Sequence, residues 1–312
     1  MKLKKPKFWD YKKPNFISYL LLPFTLPLII NNFFLNFKAQ KNNKKIKSIC
    51  IGNIYVGGTA KTPLTIKINS LLKKINFRTA TVKKFYIDQI DEQKILREKT
   101  KLYCFKNRKQ AIKEAIKDNV DVIIFDDGLQ DLSINYDLTF VCFNNLTWIG
   151  NGFLIPAGPL REKLKSLKKY DAVFLNGNSE KTSKLKGIIR KFNKKIKIFE
   201  TLYKPKNIEK FKKKEKYLVF SGIGNPGSFK KTLVNNNFNI IKEVIFPDHY
   251  QYRSHDINNI KKLAKELNAK IITTEKDYVK INSRNNKGIN FLEIELFLKK
   301  EKELINFIKT KI

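Results

Sequence analysis

Lys61 and Thr62 close the run Tyr55-Val56-Gly57-Gly58-Thr59-Ala60-Lys61-Thr62, which lies between the apolar Ser48-Ile49-Cys50-Ile51 and Pro63-Leu64-Thr65-Ile66. Small residues where a strand turns into a helix let backbone N–H groups surround phosphates, a lysine reaches the outer phosphates, and a hydroxyl holds Mg²⁺. Lys61 and Thr62 suit the last two tasks, and residues 55–62 form a candidate cradle for a nucleoside triphosphate. The spacing departs from G-x-x-x-x-G-K-[ST], which would put glycine at Tyr55 and Ala60. A plain helix-capping loop would also fit these residues.

A second element carries acid groups. Val122-Ile123-Ile124-Phe125 reads as a buried strand that delivers Asp126 and Asp127 at its end, the arrangement that holds Mg²⁺ beside a phosphate loop. Side chains alternate along a strand, so both acids reach one site only if the chain turns at Asp127, which Gly128 permits. Asp91-Glu92 lies in a polar stretch and is able to supply a base for an attacking alcohol. The chain has two histidines, His249 and His255, and Asp248-His249 follows a proline turn where a polar pair suits a domain cleft.

Such groups need a scaffold, and 312 residues accommodate two domains of ordinary size. Hydrophobic residues at 42% and charged residues at 29% describe a globular chain. The formal charge of +36 implies attraction to phosphate, whether on nucleic acid, anionic lipid or a phosphorylated substrate. The lysines are scattered through every segment without interleaved aromatics or a nucleic-acid module, which favours a solvated basic surface and excludes nucleic acid as the expected partner. Cys50, Cys104 and Cys142 lack paired spacing and read as small core residues.

The positioning elements alternate strand-like and helix-like runs: Ala80-Thr81-Val82, Lys109 to Lys117, Val120 to Phe125, Leu138 to Phe143, and Ala172 to Leu175. This is α/β patterning. Tyr217 to Phe220 leads into Ser221-Gly222-Ile223-Gly224-Asn225-Pro226-Gly227, and Lys270 to Thr274 leads into Glu275-Lys276-Asp277, so both loops sit where ligands gather in open α/β sheets. Phe16 to Phe37 is largely apolar and flanked by lysines. Its length is marginal for a span, Pro23 and Pro27 would kink a helix, and Asn31 and Asn32 are costly in hydrocarbon. A span, a shallow anchor and a buried amphipathic helix are all compatible with it, whereas no small-x-small cleavage site marks export.

Taken in order, Gly52 to Pro63, Asp126-Asp127-Gly128-Leu129-Gln130, Pro156-Ala157-Gly158-Pro159-Leu160-Arg161-Glu162, Gly222 to Pro226, Phe246-Pro247-Asp248-His249 and Thr274-Glu275-Lys276-Asp277 resemble the tetraacyldisaccharide 4'-kinase family. The resemblance runs from Phe8-Trp9 to about Lys280. It implies two α/β domains, a P-loop NTPase-type nucleotide domain and a smaller one, with an N-terminal membrane-associating helical segment. The expected bounds are 1–40 for that segment, 41–178 for the kinase domain, and 179–312 for a second domain closing over the active-site cleft.

The resemblance further implies ATP- and Mg²⁺-dependent phosphorylation of the 4'-hydroxyl of tetraacyldisaccharide 1-phosphate, giving lipid IVA at the cytoplasmic face of the inner membrane. A lipid-linked disaccharide and an anionic lipid surface are then the partners, with no obligate protein partner. Lys61 would hold the outer phosphates within the cradle Tyr55 to Thr62. Thr62 with Asp126 or Asp127 would hold Mg²⁺, Asp91 would be the base, His249 would assist it, and Arg161 would stabilise the phosphoryl group or bind the acceptor.

The departures are Ala60 for the family's glycine, Asp131 for its histidine, Leu129 for phenylalanine, and Lys83-Lys84-Phe85-Tyr86 in place of Ser-Arg-Gly-Tyr-Gly. Of Gly-Asp-Glu-Pro, Ile90-Asp91-Glu92-Gln93 keeps only the acids. A P-loop NTPase that is not a lipid kinase, or an inactive paralogue, would share most of the same motifs.

Overall fold

The structure, a computed structural model, describes residues 5–36, 46–131, 133–177 and 182–312. Its strands are β1 (Lys47–Gly52), β2 (Thr79–Lys84), β3 (Leu102–Phe105), β4 (Val122–Asp126), β5 (Leu138–Asn144), β6 (Ala172–Asn176), β7 (Lys197–Pro205), β8 (Lys216–Ser221), β9 (Asn239–Ile245), β10 (Lys270–Thr274), β11 (Ile289–Leu292) and β12 (Ile294–Leu298). The α-helices are α1 (Phe16–Leu20), α2 (Leu26–Asn36), α3 (Lys61–Lys73), α4 (Ile90–Lys99), α5 (Arg108–Lys117), α6 (Thr182–Phe192), α7 (Pro226–Asn235), α8 (Ser254–Glu266), α9 (Glu275–Tyr278) and α10 (Glu301–Lys309).

The chain forms two compact units. The first comprises residues 1–84, 100–202 and 298–312, and the second residues 85–99 and 203–297, as far as they are described. Residues 182–202, expected with the second domain, belong to the first because β7 continues its parallel sheet from β6. Conversely Asp91 and Glu92, expected in the nucleotide domain, sit on α4 within the second unit. The residues Asn178 and Ser179, at the expected boundary, lie outside the described residues.

In the first unit the sheet order is β12-β7-β6-β5-β1-β4-β2-β3, with β7 and β12 both crossing the unit boundary. Every pairing from β7 to β3 is parallel. Parallel strands are covered on both faces and so tolerate continuous apolar runs, which is why β4 can be buried along its whole length. Its core gathers Cys50, Val82, Ile123, Phe125, Val141 and Val173. Cys50, Cys104 and Cys142 are free thiols.

The second unit is built on β11-β10-β8-β9, again all parallel. One face packs Leu218, Phe220, Ile257 and Ile271, and the other Tyr217, Val219, Phe229 and Ile272, as the two-residue period of β8 requires.

No helix among the described residues is long and apolar enough to cross a membrane. Pro23 lies in a 3-10 turn, Leu22–Thr25, that divides α1 from α2, and Pro27 opens α2. Large apolar side chains of this segment face outward, with Phe16 80%, Phe24 66% and Phe33 58% exposed, which argues against the buried-helix reading. Phe37, Lys38 and Lys41 lie outside the described residues.

Candidate active site

In the first unit the loop from Asn53 to Ala60 joins β1 to α3. Its first half is pinned by a short ladder to the Pro156–Glu162 segment: Val56 N–H donates to Pro159 C=O at 2.8 Å and Arg161 N–H to Ile54 C=O at 2.8 Å. Tyr55 is buried, and its hydroxyl donates to Asp10 while Lys5 donates to it. Gly57 has φ +143°, and a Cβ there would lie 3.0 Å from the Tyr55 ring, so the cradle needs glycine on both counts. Asn53 Nδ2 donates to Thr59 Oγ1 at 2.9 Å and ties the second half of the loop to the first.

Ala60, at the N-cap of α3, has φ 69° and ψ 26°. This left-handed conformation is disfavoured for any residue with a Cβ, so the departure from glycine acts on the backbone itself. Lys61 and Thr62 then open the helix, where N–H groups and the helix dipole favour an anion.

Thr62 Oγ1 donates to Asp126 Oδ2 at 2.9 Å, which leaves the hydroxyl lone pairs for a cation. Asp126 also accepts from Lys83 Nζ at 2.8 Å, and both residues are buried. The turn expected after Asp126 is made by Asp127 itself, at φ 59°. Gly128 serves a different end from the one expected, since a Cβ there would meet Tyr136 Oη at 2.8 Å and Cys50 Sγ at 2.9 Å.

Turned in this way, the Asp127 carboxylate meets Lys61 at 3.6 Å and Arg161 at 3.0 Å. Arg161 also donates to Gln130 Oε1 at 3.0 Å, and Gln130 Nε2 donates to Asn53 C=O and Glu162. Arg108 fixes the turn from behind, donating to Asp127 C=O and Asp131 at 2.7 Å each. Burial raises the Asp131 carboxyl, but Ser133 and Arg108 outweigh it and hold the group below the usual carboxylate range. Asp131, where the resemblance leads one to expect histidine, thus supports the turn through Arg108.

The second unit holds another cluster. Asp91, in the first turn of α4, is fully buried, and both its oxygens lie 3.0–3.1 Å from His249 Nδ1. Lys276, in the first turn of α9, lies 3.3 Å from His249 Nε2, 3.2 Å from Glu92, 3.4 Å from Asp248 and 3.7 Å from Asp91. An ammonium can only donate, so Nε2 accepts, the proton sits on Nδ1, and His249 donates to Asp91. Burial would raise the Asp91 carboxyl, but the His249 hydrogen bond and the Lys276 charge hold it below its ordinary range. Burial likewise opposes the Lys276 charge, and Glu92, Asp248 and Asp91 outweigh it to raise the ammonium above its ordinary range.

His249 has φ 56°, and its N–H donates to Gly222 C=O at 3.2 Å. A Cβ on Gly222 would stand 3.0 Å from Pro247 C=O and Tyr252 Oη and 3.2 Å from Asp277 Oδ1, so this turn admits only glycine without displacement. Asp277 gathers the same turn, accepting from Gly222 N–H, Tyr252 and Lys280. His255, by contrast, is exposed, with its Nε2 2.9 Å from Asn259 Nδ2.

The model of the family described as tetraacyldisaccharide-1-P 4'-kinase matches residues 18–99 and 88–312. The chain belongs to the tetraacyldisaccharide 4'-kinase family. It is 50% identical over 307 residues to the tetraacyldisaccharide 4'-kinase of Pelagibacter ubique (strain HTCC1062), covering 98% of this chain and 97% of that one. With the Rickettsia canadensis (strain McKiel) enzyme of the same name it shares 40% over 314 residues, 95% and 94% of the two chains. The crystal structure of LpxK from Aquifex aeolicus in complex with ATP superposes with a TM-score of 0.70 at 23% identity, covering 94% of this chain and 99% of that one. The expected α/β fold is thereby established.

Of the expected site residues, the first unit brings together Lys61, Thr62, Asp126, Asp127 and Arg161, and the second joins Asp91 to His249. Sequence reasoning gave no task to Lys83, Arg108, Gln130 or Lys276. Gln130 and Lys276 stood inside quoted motifs, and Lys83 broke one. Arg108 carries no such signal, because nothing in a helical Asn-Arg-Lys run tells which cation turns inward.

Proposed function

We propose that this chain transfers the γ-phosphoryl group of ATP to the 4'-hydroxyl of tetraacyldisaccharide 1-phosphate. Family membership supports this, and the observation that carries it is the junction of Lys61, Thr62, Asp126, Asp127 and Arg161 at the start of α3. Two carboxylates and a hydroxyl with available lone pairs make an oxygen donor set that suits Mg²⁺. When bound, Mg²⁺ neutralises charge on the β- and γ-phosphoryl oxygens. Thr62, with Asp126 or Asp127, would hold it.

The chain's own groups divide the remaining work. Lys61 and the N–H groups of residues 55–62 bind the outer phosphates. Arg161, with a planar fork already aimed beside Asp127, stabilises charge on the phosphoryl group in flight. Asp91 accepts the proton of the 4'-hydroxyl as that oxygen bonds to the γ-phosphorus and ADP leaves. His249, donating from Nδ1, orients Asp91.

The exposed side chains of Phe16, Phe24 and Phe33 support placement at the surface of a bilayer, where a lipid-linked acceptor resides. A cytoplasmic inner-membrane surface, rich in anionic lipid, would also attract the strongly basic chain. The deciding experiment is transfer of labelled γ-phosphate from ATP to tetraacyldisaccharide 1-phosphate. Product that requires both acceptor and divalent metal is expected, and hydrolysis of ATP without transfer would overturn the reading. Sedimentation with anionic vesicles should fall when Phe16, Phe24 and Phe33 are all changed to serine, and unaltered binding would remove this segment from the membrane contact.

A further inference from the structure

Lys83 is the next-to-last residue of β2, which runs beside β4, the strand that ends in Asp126. The parallel register sets Lys83 opposite Asp126, so the two side chains emerge on the same face of the sheet. Lys83 is 2% exposed and Asp126 is fully buried, with the ammonium 2.8 Å from Asp126 Oδ2. That same oxygen accepts from Thr62 Oγ1 at 2.9 Å, and Oδ1 faces Thr65 Oγ1 at 3.5 Å. The carboxylate expected to help hold a metal is therefore already paired with a buried ammonium and approached by two hydroxyls.

A buried ion pair of this kind contributes little to stability compared with a well-packed apolar pair, so packing alone does not call for a lysine here. Its same-face neighbour on the strand, Thr81, is buried and uncharged. What the lysine changes is charge. Among the contacts of the described residues, Asp126 and Asp127 meet Lys61, Lys83 and Arg161, so cations outnumber the two carboxylates there. A divalent cation approaching this group without nucleotide meets a net positive field, whereas a triphosphate reverses the sign.

We propose that Lys83 stands in for the metal's charge at Asp126, so that divalent metal enters this site only together with nucleotide. The inference rests on the Mg²⁺–ATP reading of the first unit. It explains how a chain with two aspartates at the end of β4 avoids capturing metal in the empty state. Lys83 is a positioning residue here, acting through Asp126.

The test uses Mn²⁺ as the probe, with bound and free ion measured by electron paramagnetic resonance on the full chain. Wild type should bind Mn²⁺ with ATP present and fail to bind it alone. Lys83→Met should bind Mn²⁺ in the absence of nucleotide about tenfold or more tighter than wild type, since one unit of opposing charge has gone. Lys83→Gln, which keeps a donor to Asp126, should show the same gain and replaces the methionine variant if that one does not fold. Lys83→Arg should behave as wild type.

Nucleotide-free binding of Mn²⁺ by wild type, or no gain in the neutral variants, overturns the role of Lys83. Failure of wild type to bind Mn²⁺ even with ATP overturns instead the Mg²⁺–ATP reading beneath it.

Discussion

The charged groups of the two units are assembled in opposite ways. In the first, Lys61, Thr62, Lys83, Asp126 and Asp127 all stand at the ends of adjacent parallel strands or on the helix that follows β1, so backbone hydrogen bonding fixes their spacing. In the second, Asp91, His249 and Lys276 come from α4, a loop after β9 and the four-residue α9, and 158 residues separate the histidine from its carboxylate. A sheet fixes the spacing of the first set. The second is held mainly by its own charges and by the turn that Gly222 allows. The first arrangement suits binding, and the second suits a group whose proton affinity must be set.

This contrast breaks most directly by removing one group from each unit. Asp91→Ala should lower kcat by about 10²- to 10⁴-fold, the usual worth of a positioned general base, while leaving ATP affinity within about twofold. Lys61→Ala should lose ATP affinity as well as turnover, because its ammonium acts on the bound phosphates. Isothermal titration with ATP beside the transfer assay reads both. If Asp91→Ala weakens ATP binding as much as Lys61→Ala does, the division into binding and proton-handling units fails.

A smaller effect sharpens the second unit alone. Lys276→Met leaves Asp91, Glu92 and Asp248 close together without their shared cation, at a cost of about 1–3 kcal/mol in stability. The pH sign follows from the two shifts. Asp91 is lowered from its ordinary value of 3.8, so its contribution is present above that value and fades as pH falls through the lowered one. Lys276 is raised from 10.5, so its contribution is present below that value and fades only as pH rises through the raised one. In Lys276→Met the acid unfolding midpoint should move to higher pH, and the share of any alkaline loss that Lys276 itself contributes should be gone. Thermal melts across pH check both, and an unmoved acid midpoint would detach Lys276 from Asp91.

The same contrast explains what the sequence made legible. The first-unit site comes from contiguous runs, where a strand, a turn and a helix start lie within fifteen residues, and Lys61, Thr62, Asp126 and Asp127 could be named from them. Lys83 and Arg108 escaped because their partners depend on strand register and on which helix face turns inward, neither of which a single run encodes. In the second unit Asp91 was named from an acid pair in a polar stretch and His249 from the Phe246-Pro247-Asp248-His249 run, while the Lys276 ammonium that helps hold the Asp91 carboxyl down was passed over. The domain boundary was misplaced for a related reason: β7 joins the first sheet through its pairing with β6, and α4 belongs to the other unit though no composition shift marks it.

The smallest expected effect concerns Ala60. A Cβ where the family has glycine would crowd a phosphate only if it faced the cradle, but the residue is 7% exposed, so the side chain lies mostly against protein. The cost is in the backbone: φ 69° costs an L-residue about 1–2 kcal/mol, while glycine there gives back part of the gain through its freer unfolded chain, about 0.4–1 kcal/mol. Ala60→Gly should therefore raise stability by no more than about 1 kcal/mol and change ATP affinity by less than about threefold. Chemical denaturation and nucleotide titration separate the two quantities. A tenfold rise in affinity at unchanged stability would return the methyl group to the mouth of the phosphate cradle and make the first unit the less rigid partner in the comparison.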